Sequence, residues 1–215
     1  MSFRDLQEEA GTSCLPNLDQ ATFFPLPDRD QRESLAAAGA LILRALGENI
    51  QREGLQRTPE RFSKAMEALC AGYKMTPAQV VGNGVFAAEG QGLVSVKNVE
   101  FYSLCEHHML PFWGHVTVAY YPGKQIVGLS KIPRLVEVFA RRFQVQERLT
   151  KQVADALQGI LSPRAIAIKV EARHLCMMMR GVKTQDSETR TEHFVGLDNL
   201  TPIERDRLMA QIDSK

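Results

Sequence analysis

The chain has 215 residues, 44% hydrophobic and 24% charged, a globular composition with enough apolar mass for one core. Its 26 basic and 25 acidic residues leave a net charge of +1, so no basic excess points to a polynucleotide partner. The longest apolar run, Leu35 to Leu43, stops at Arg44, well short of the roughly 20 residues that span a bilayer. The polar start MSFRDLQEEA lacks a secretory apolar segment, so the default expectation is a cytoplasmic protein, with neither nucleic acid nor membrane as partner.

Residues 1–29 show no periodicity, contain Pro16, Pro25 and Pro27, and read as an N-terminal arm. A helical segment follows over 30–80. Leu35, Ala38, Ile42 and Leu46 recur at helical spacing, and Gly47 offers a stop. A second helix is expected from Thr58 as N-cap and Pro59 as first helical residue, with Phe62, Ala65, Met66, Leu69 and Tyr73 as its apolar stripe. Gly72 and Pro77 then punctuate the chain.

Residues 81–215 form a region of different character. Val94 and Val96, and then Val116, Val118 and Tyr120, alternate with their neighbours as strands do. Pro122-Gly123 marks a turn, and Gln125 to Leu129 reads as a short strand. From Lys131 to Leu161 the spacing is helical, but its phase breaks. Ile132, Leu135, Val136, Phe139 and Phe143 share one stripe, whereas Leu149, Val153, Leu157 and Ile160 define another. Two helices joined near Gln144 fit this pattern. Ile166, Ile168, Val170 and Ala172 alternate against Lys169, Glu171 and Arg173 as a further strand, and a last helix starts after Thr201-Pro202 and runs through Leu208. The order of helices and strands is α+β, with an antiparallel sheet.

Four cysteines stand at 14, 70, 105 and 176. Cys14 and Cys70 read as plain thiols, the latter on the apolar face of the second helix. Cys105-Glu106-His107-His108 places a Cys and a His three apart, a spacing that grips one ion from a turn. His174-Leu175-Cys176 closes the late strand, and residues two apart on a strand share a face. Cys176 thus offers a third ligand with His174 beside it. Three protein ligands leave tetrahedral zinc a position for water, and thiolate with imidazole suits zinc better than magnesium or calcium. Spacing alone leaves open which histidine binds metal and which transfers protons.

A second constellation concerns anions. Ser130-Lys131-Ile132-Pro133-Arg134 opens a helix after Gly128. Ser130 reads as the N-cap, and Lys131 and Arg134 add charge to an anion-favouring first turn. Arg180-Gly181 follows Cys176 closely and suits phosphate. Gln146 and Glu147 are polar where the helical phase breaks, and a carboxylate there can accept from a guanine-like N–H edge. Arg141-Arg142 reads as a solvated face or subunit contact, Met177 to Met179 as packing, and Phe112 and Trp113 as core or interface.

The segments SLCEHHMLPFWGHVTVAYYP, IVGLSKIPRLVEVFARRFQVQERLT and EARHLCMMMRGV closely resemble GTP cyclohydrolase I, over roughly residues 30–190. The resemblance implies a tunnelling fold assembled into a toroidal homodecamer, with 81–215 as its catalytic domain. It also implies conversion of GTP and water into 7,8-dihydroneopterin triphosphate and formate. Cys105, His108 and Cys176 are then similar to the family's zinc ligands, and His107 and His174 to its proton-transfer histidines. Gln146 and Glu147 resemble its guanine-binding pair. Ser130, Lys131, Arg134 and Arg180 resemble its ribose and triphosphate contacts, and Arg61 an arginine that reaches a neighbouring subunit's triphosphate. Glu192-His193-Phe194 departs from the family's small, hydroxyl-rich continuation after Ser187, Thr189 and Thr191 and puts the local loop packing in question. Two alternatives accompany this reading: a paralogous enzyme acting on another purine or pterin, and a catalytically silent subunit binding zinc or nucleotide.

Overall fold

Apolar stripes at helical spacing must find a partner surface, and the first two helices find one another. In the computed structural model, which describes residues 31–213, α1 (Gln31–Ala45) packs on α2 (Thr58–Leu69). The arm and Cys14 lie outside the described residues. The packing face of α1 is not the expected stripe. Gly39 is buried against the Phe62 ring, so close that a Cβ would lie 2.9 Å from it, while Leu41, Ile42 and Leu46 stay exposed. The glycine wins because its missing side chain lets the helices approach. The Ser63 hydroxyl, fully buried, donates to the Arg32 carbonyl and ties the same seam.

The N-cap of α2 is Arg57, not Thr58: Thr58 is already helical, and its N–H donates to Leu55 O in the preceding turn. Cys70 is the C-cap of α2, where partial burial pushes its thiol up. A short 3-10 turn (Ala71–Lys74) and α3 (Pro77–Val81), capped by a Thr76–Gln79 capping box, lead into the sheet.

Two strands, β1 (Val85–Ala87) and β4 (Gln125–Val127), pair antiparallel as a small separate sheet. The main sheet has five strands in the order β5-β2-β3-β6-β7, with β2 (Val94–Cys105), β3 (Pro111–Tyr121), β5 (Phe143–Gln144), β6 (Ala165–His174) and β7 (Thr189–Val195). All pairings are antiparallel except that of β2 with β5. Strand alternation gives the sheet two faces. One carries Val116, Val118, Tyr120, Ile166, Ile168 and Val170 against α4 (Lys131–Ala140) and α5 (Gln146–Leu161). The other carries Ala119, Tyr121, Ala165 and Ala167 against the C-terminal helix, here α7 (Pro202–Asp213), through Leu208 and Ile212. Because α7 covers that second face, β6 is buried on both sides near its start, and Lys169 is 3% exposed instead of solvated. Its ammonium is paired with Glu171 at 2.9 Å, as burial of a charge requires.

The expected break between two helices falls at β5. Gln144, 1% exposed, is the joint. Its amide nitrogen donates to Phe139 O at the end of α4 and to Gln152 Oε1 in α5, and its carbonyl oxygen accepts from Val145 N. Arg142 is likewise no solvated residue: it donates to Val138 O and Gly72 O and stacks near Tyr73 and Phe139. Arg141 pairs with Glu137. Among the described residues no helix is long and apolar enough to cross a membrane.

Candidate active site and metal centre

The hairpin between β2 and β3 turns on Cys105-Glu106-His107-His108. Cys105 N donates to Leu110 O, Met109 N donates to Cys105 O, and Met109 takes φ +57°, the left-handed conformation that lets the turn close. Cys105 is aligned with Gln144 of β5, and Phe112, where β3 begins, with His174, where β6 ends. Four strand ends and the start of α5 therefore meet at one rim of the sheet. β6 stops at His174, and Leu175–Met178 forms a single helical turn, here α6. Cys176 accordingly reaches the rim from a helical turn and not from the strand face expected of it. Met177 and Met178 are half-buried there, whereas Met179 is 62% exposed and packs on nothing extensive.

At that rim the donor atoms of Cys105, His108 and Cys176 all lie within 4.8 Å of one another. Cys105 Sγ is 3.8 Å from His108 Nδ1 and 3.9 Å from His107 Nδ1. Tetrahedral zinc with bonds near 2.0–2.3 Å sets its ligand atoms about 3.5–3.8 Å apart, so the three donors need only a small closure to share an ion. Burial, reinforced by the neighbouring Cys105 thiol, pushes the Cys176 thiol up. Two adjacent thiols ionise together only with a cation between them, and the donor set fits zinc on that chemistry.

His174 is held by two contacts. Its ring stacks on the fully buried Phe112 ring, with centroids 4.6 Å apart and planes at 3°. Its Nε2 lies 2.9 Å from Gln146 Oε1. Burial lowers its pKa, while the nearby Glu147 carboxylate opposes that shift. Gln146, 2% exposed, uses its amide nitrogen on Val170 O, Thr189 O and Thr191 Oγ1. Glu147, exposed in the first turn of α5, is the acidic group free to meet a ligand beside the rim. The Glu106 carboxylate makes two bonds to the Arg148 guanidinium, at 2.6 and 2.9 Å, which tie the Cys-Glu-His-His turn to α5 and hold that carboxyl below its usual range. Sequence reasoning passed over Glu106, Arg148, Thr150 and Thr191. The only signal for the last was a threonine two residues from Thr189 in a segment taken for a loop, which is β7.

Arg180 is exposed just past α6, near enough to Cys176 to act on its thiol electrostatically. Ser130, Lys131 and Arg134 lie elsewhere. They open α4, whose far end adjoins Gln144, so the helix length of roughly 1.5 Å per residue separates them from the rim. Ser130 is the N-cap of α4, as its place in the sequence suggests, but it is in helical conformation and its side chain makes no capping bond. The Lys131 ammonium donates to Val80 O at 3.3 Å and its stem lies against Gly84. Arg61 is exposed on α2. A groove of about 750 Å³ between β1 and Ser162–Arg164 is lined by none of the rim's Cys and His groups, so cavity size does not mark the chemistry here.

An α+β sheet that gathers Cys, His and Cys at one rim, beside a second histidine held in place, defines a candidate metalloenzyme. The family model described as GTP cyclohydrolase I matches residues 35–213, and the chain belongs to that enzyme family and has its tunnelling fold. A GTP cyclohydrolase 1 of Deinococcus radiodurans is 52% identical over 188 residues, 87% of this chain and 86% of that one. One from Leptospira biflexa is 50% identical over 168 residues, covering 78% and 92%, and one from Chlorobaculum tepidum 50% over 171 residues, covering 79% and 76%.

Proposed function

We propose that this chain converts GTP and water into 7,8-dihydroneopterin triphosphate and formate, with zinc held by Cys105, His108 and Cys176. The convergence of those three donor atoms within 4.8 Å, from segments some 70 residues apart in sequence, carries the reading. A zinc ion there supplies Lewis acidity that makes water nucleophilic near neutral pH.

The chain's own residues do the rest. Opening the imidazole ring of guanine at C8 requires a proton placed on a ring nitrogen and one withdrawn from water. His174, buried and clamped, and His107, exposed beside Cys105, are the two groups suited to carry them. The Glu147 carboxylate accepts from the N–H edge of guanine, with Gln146 bordering the same pocket. Arg180 meets the ribose triphosphate from the rim. Ser130, Lys131, Arg134 and Arg61 contribute anion contacts from the outer helices, which a neighbouring copy in a ring-shaped homodecamer brings to the substrate. Fixing the triphosphate in this way sets C8 against the metal centre.

Purified, zinc-loaded protein incubated with GTP should release formate and a pterin that fluoresces after oxidation. Neither product from assembled protein would remove the proposal. Turnover of a different purine would indicate the paralogous enzyme, and nucleotide binding without turnover the silent subunit.

A further inference from the structure

We infer that Gln146 is a positioning residue that holds neutral His174 in the tautomer with its proton on Nε2, leaving Nδ1 as the nitrogen that exchanges protons with substrate or water. The inference rests on the proposed cyclohydrolase reaction for its kinetic part alone; the state of the ring is independent of it.

The argument begins with hydrogen-bond directions that admit one solution. The Gln146 amide nitrogen lies 3.0 Å from Val170 O and 2.8 Å from Thr189 O. Both are backbone carbonyls, which can only accept, so the NH2 end of the amide must face them and the flipped amide is excluded. Oε1 is then the atom facing His174. An amide oxygen can only accept, so the Nε2 it meets at 2.9 Å must carry the proton. No protein partner meets Nδ1 by hydrogen bond among the described residues.

A pair of hydroxyls closes the network. Thr150 Oγ1 lies 2.7 Å from Gln146 O, again an obligate acceptor, so the Thr150 hydroxyl donates there. The 2.6 Å contact between the Thr150 and Thr191 hydroxyls must then run from Thr191 to Thr150. That leaves a Thr191 lone pair facing the Gln146 amide nitrogen at 3.2 Å, the longest of its three contacts, where it shares a hydrogen already given to a carbonyl. Every member is satisfied in one sense only, and all of it is buried or half-buried, where an unpaired polar atom costs most. Phe112, stacked on the imidazole, fixes the plane in which the ring lies. Gln146 then selects the nitrogen. With both amide hydrogens already committed, it has none left for guanine, and Glu147 alone of the pair presents a free polar group.

Two measurements test this. Solid-state 15N NMR of protein labelled at histidine, with the His174 signals identified by their loss in His174→Asn, should show protonated Nε2 and unprotonated Nδ1 on the neutral ring. This needs no GTP and is decisive even if every Gln146 variant misfolds; a neutral ring with its proton on Nδ1 would overturn the inference. Gln146→Met, which keeps length but not the acceptor, should lower kcat by about 100-fold while KM for GTP changes little, and the ring spectrum should lose its tautomer preference. A loss confined to KM would place Gln146 on the guanine instead, and an unchanged kcat would also overturn the inference. Thr191→Val should reproduce part of the kcat loss and Thr191→Ser should rescue it; equal loss in both would mean that packing, and not the hydroxyl, is what Thr191 supplies.

Discussion

Cys176 shows why single residues at the rim are sensitive to one another. Its thiol is pushed up by burial and by Cys105, a pairing that is unfavourable for thiolates until a cation joins them. Cys176→Ala should therefore lose zinc and GTP turnover together; metal content remaining near one per chain by elemental analysis would show that the ligand assignment is wrong. Glu147 is the opposite kind of residue, exposed, with an electrostatic reach to His174. Glu147→Ala should weaken GTP binding by about 10- to 100-fold, the scale of hydrogen bonds to a charged group. Its loss at the start of α5 should cost stability no more than about 1 kcal/mol. Equal affinity for GTP in calorimetry would take guanine recognition away from this carboxylate.

At the scale of elements, one carboxylate anchors the first turn of the C-terminal helix. Glu204 closes a capping box with Thr201, whose N–H donates to Oε2 at 2.9 Å, and it also receives two bonds from the Arg164 guanidinium. These partners lower its pKa from 4.5 to about 2, the guanidinium first. A depressed acid stabilises the folded state above its unfolded value and loses that contribution as pH falls through the folded value. Anchoring of α7 by this group should thus be complete above about pH 4.5 and fade toward pH 2. Hydrogen exchange in α7 should show the trend, and Glu204→Gln should flatten it; an unaltered acid profile in the variant would assign the effect to other groups. The departure Glu192-His193-Phe194 belongs to this element too. Phe194 packs under α7, and Glu192 pairs with Arg190, which also reaches Asp213. The added bulk and charge serve the contact of β7 with the last helix, while Thr191 keeps its place in the His174 network.

For the whole molecule, the core between the sheet and the paired helices α4 and α5 holds the rim in place. Leu149, fully buried one turn after Gln146, is central to it. Leu149→Ala should cost about 2–5 kcal/mol in denaturant unfolding. A cost below about 1 kcal/mol would mean that the start of α5 is held by its hydrogen bonds and not by packing. The proposed homodecamer is testable by light scattering, where a mass near ten chains is expected and a monomer would contradict it. Exposed Leu41 and Ile42 on α1, with Leu46 just beyond it, are apolar surface that an assembly could cover.

Periodicity and spacing decided what depends on near neighbours in the chain. The phase break at Gln144 was legible because two helical stripes cannot share one straight axis, and the Cys-x-x-His spacing because a turn brings residues three apart together. The strands β2, β3 and β6 showed through their alternation. Long-range approach was not legible. Nothing local tells α1 that Gly39 and not Ile42 will face α2, or gives the two-residue strand β5 its place beside Cys105. The same holds for Lys169, whose burial follows from a helix more than thirty residues later. The clamp on His174 is of this kind as well: its directions are set by carbonyls and hydroxyls from three separate elements, and only their packing decides which atom can donate and which must accept.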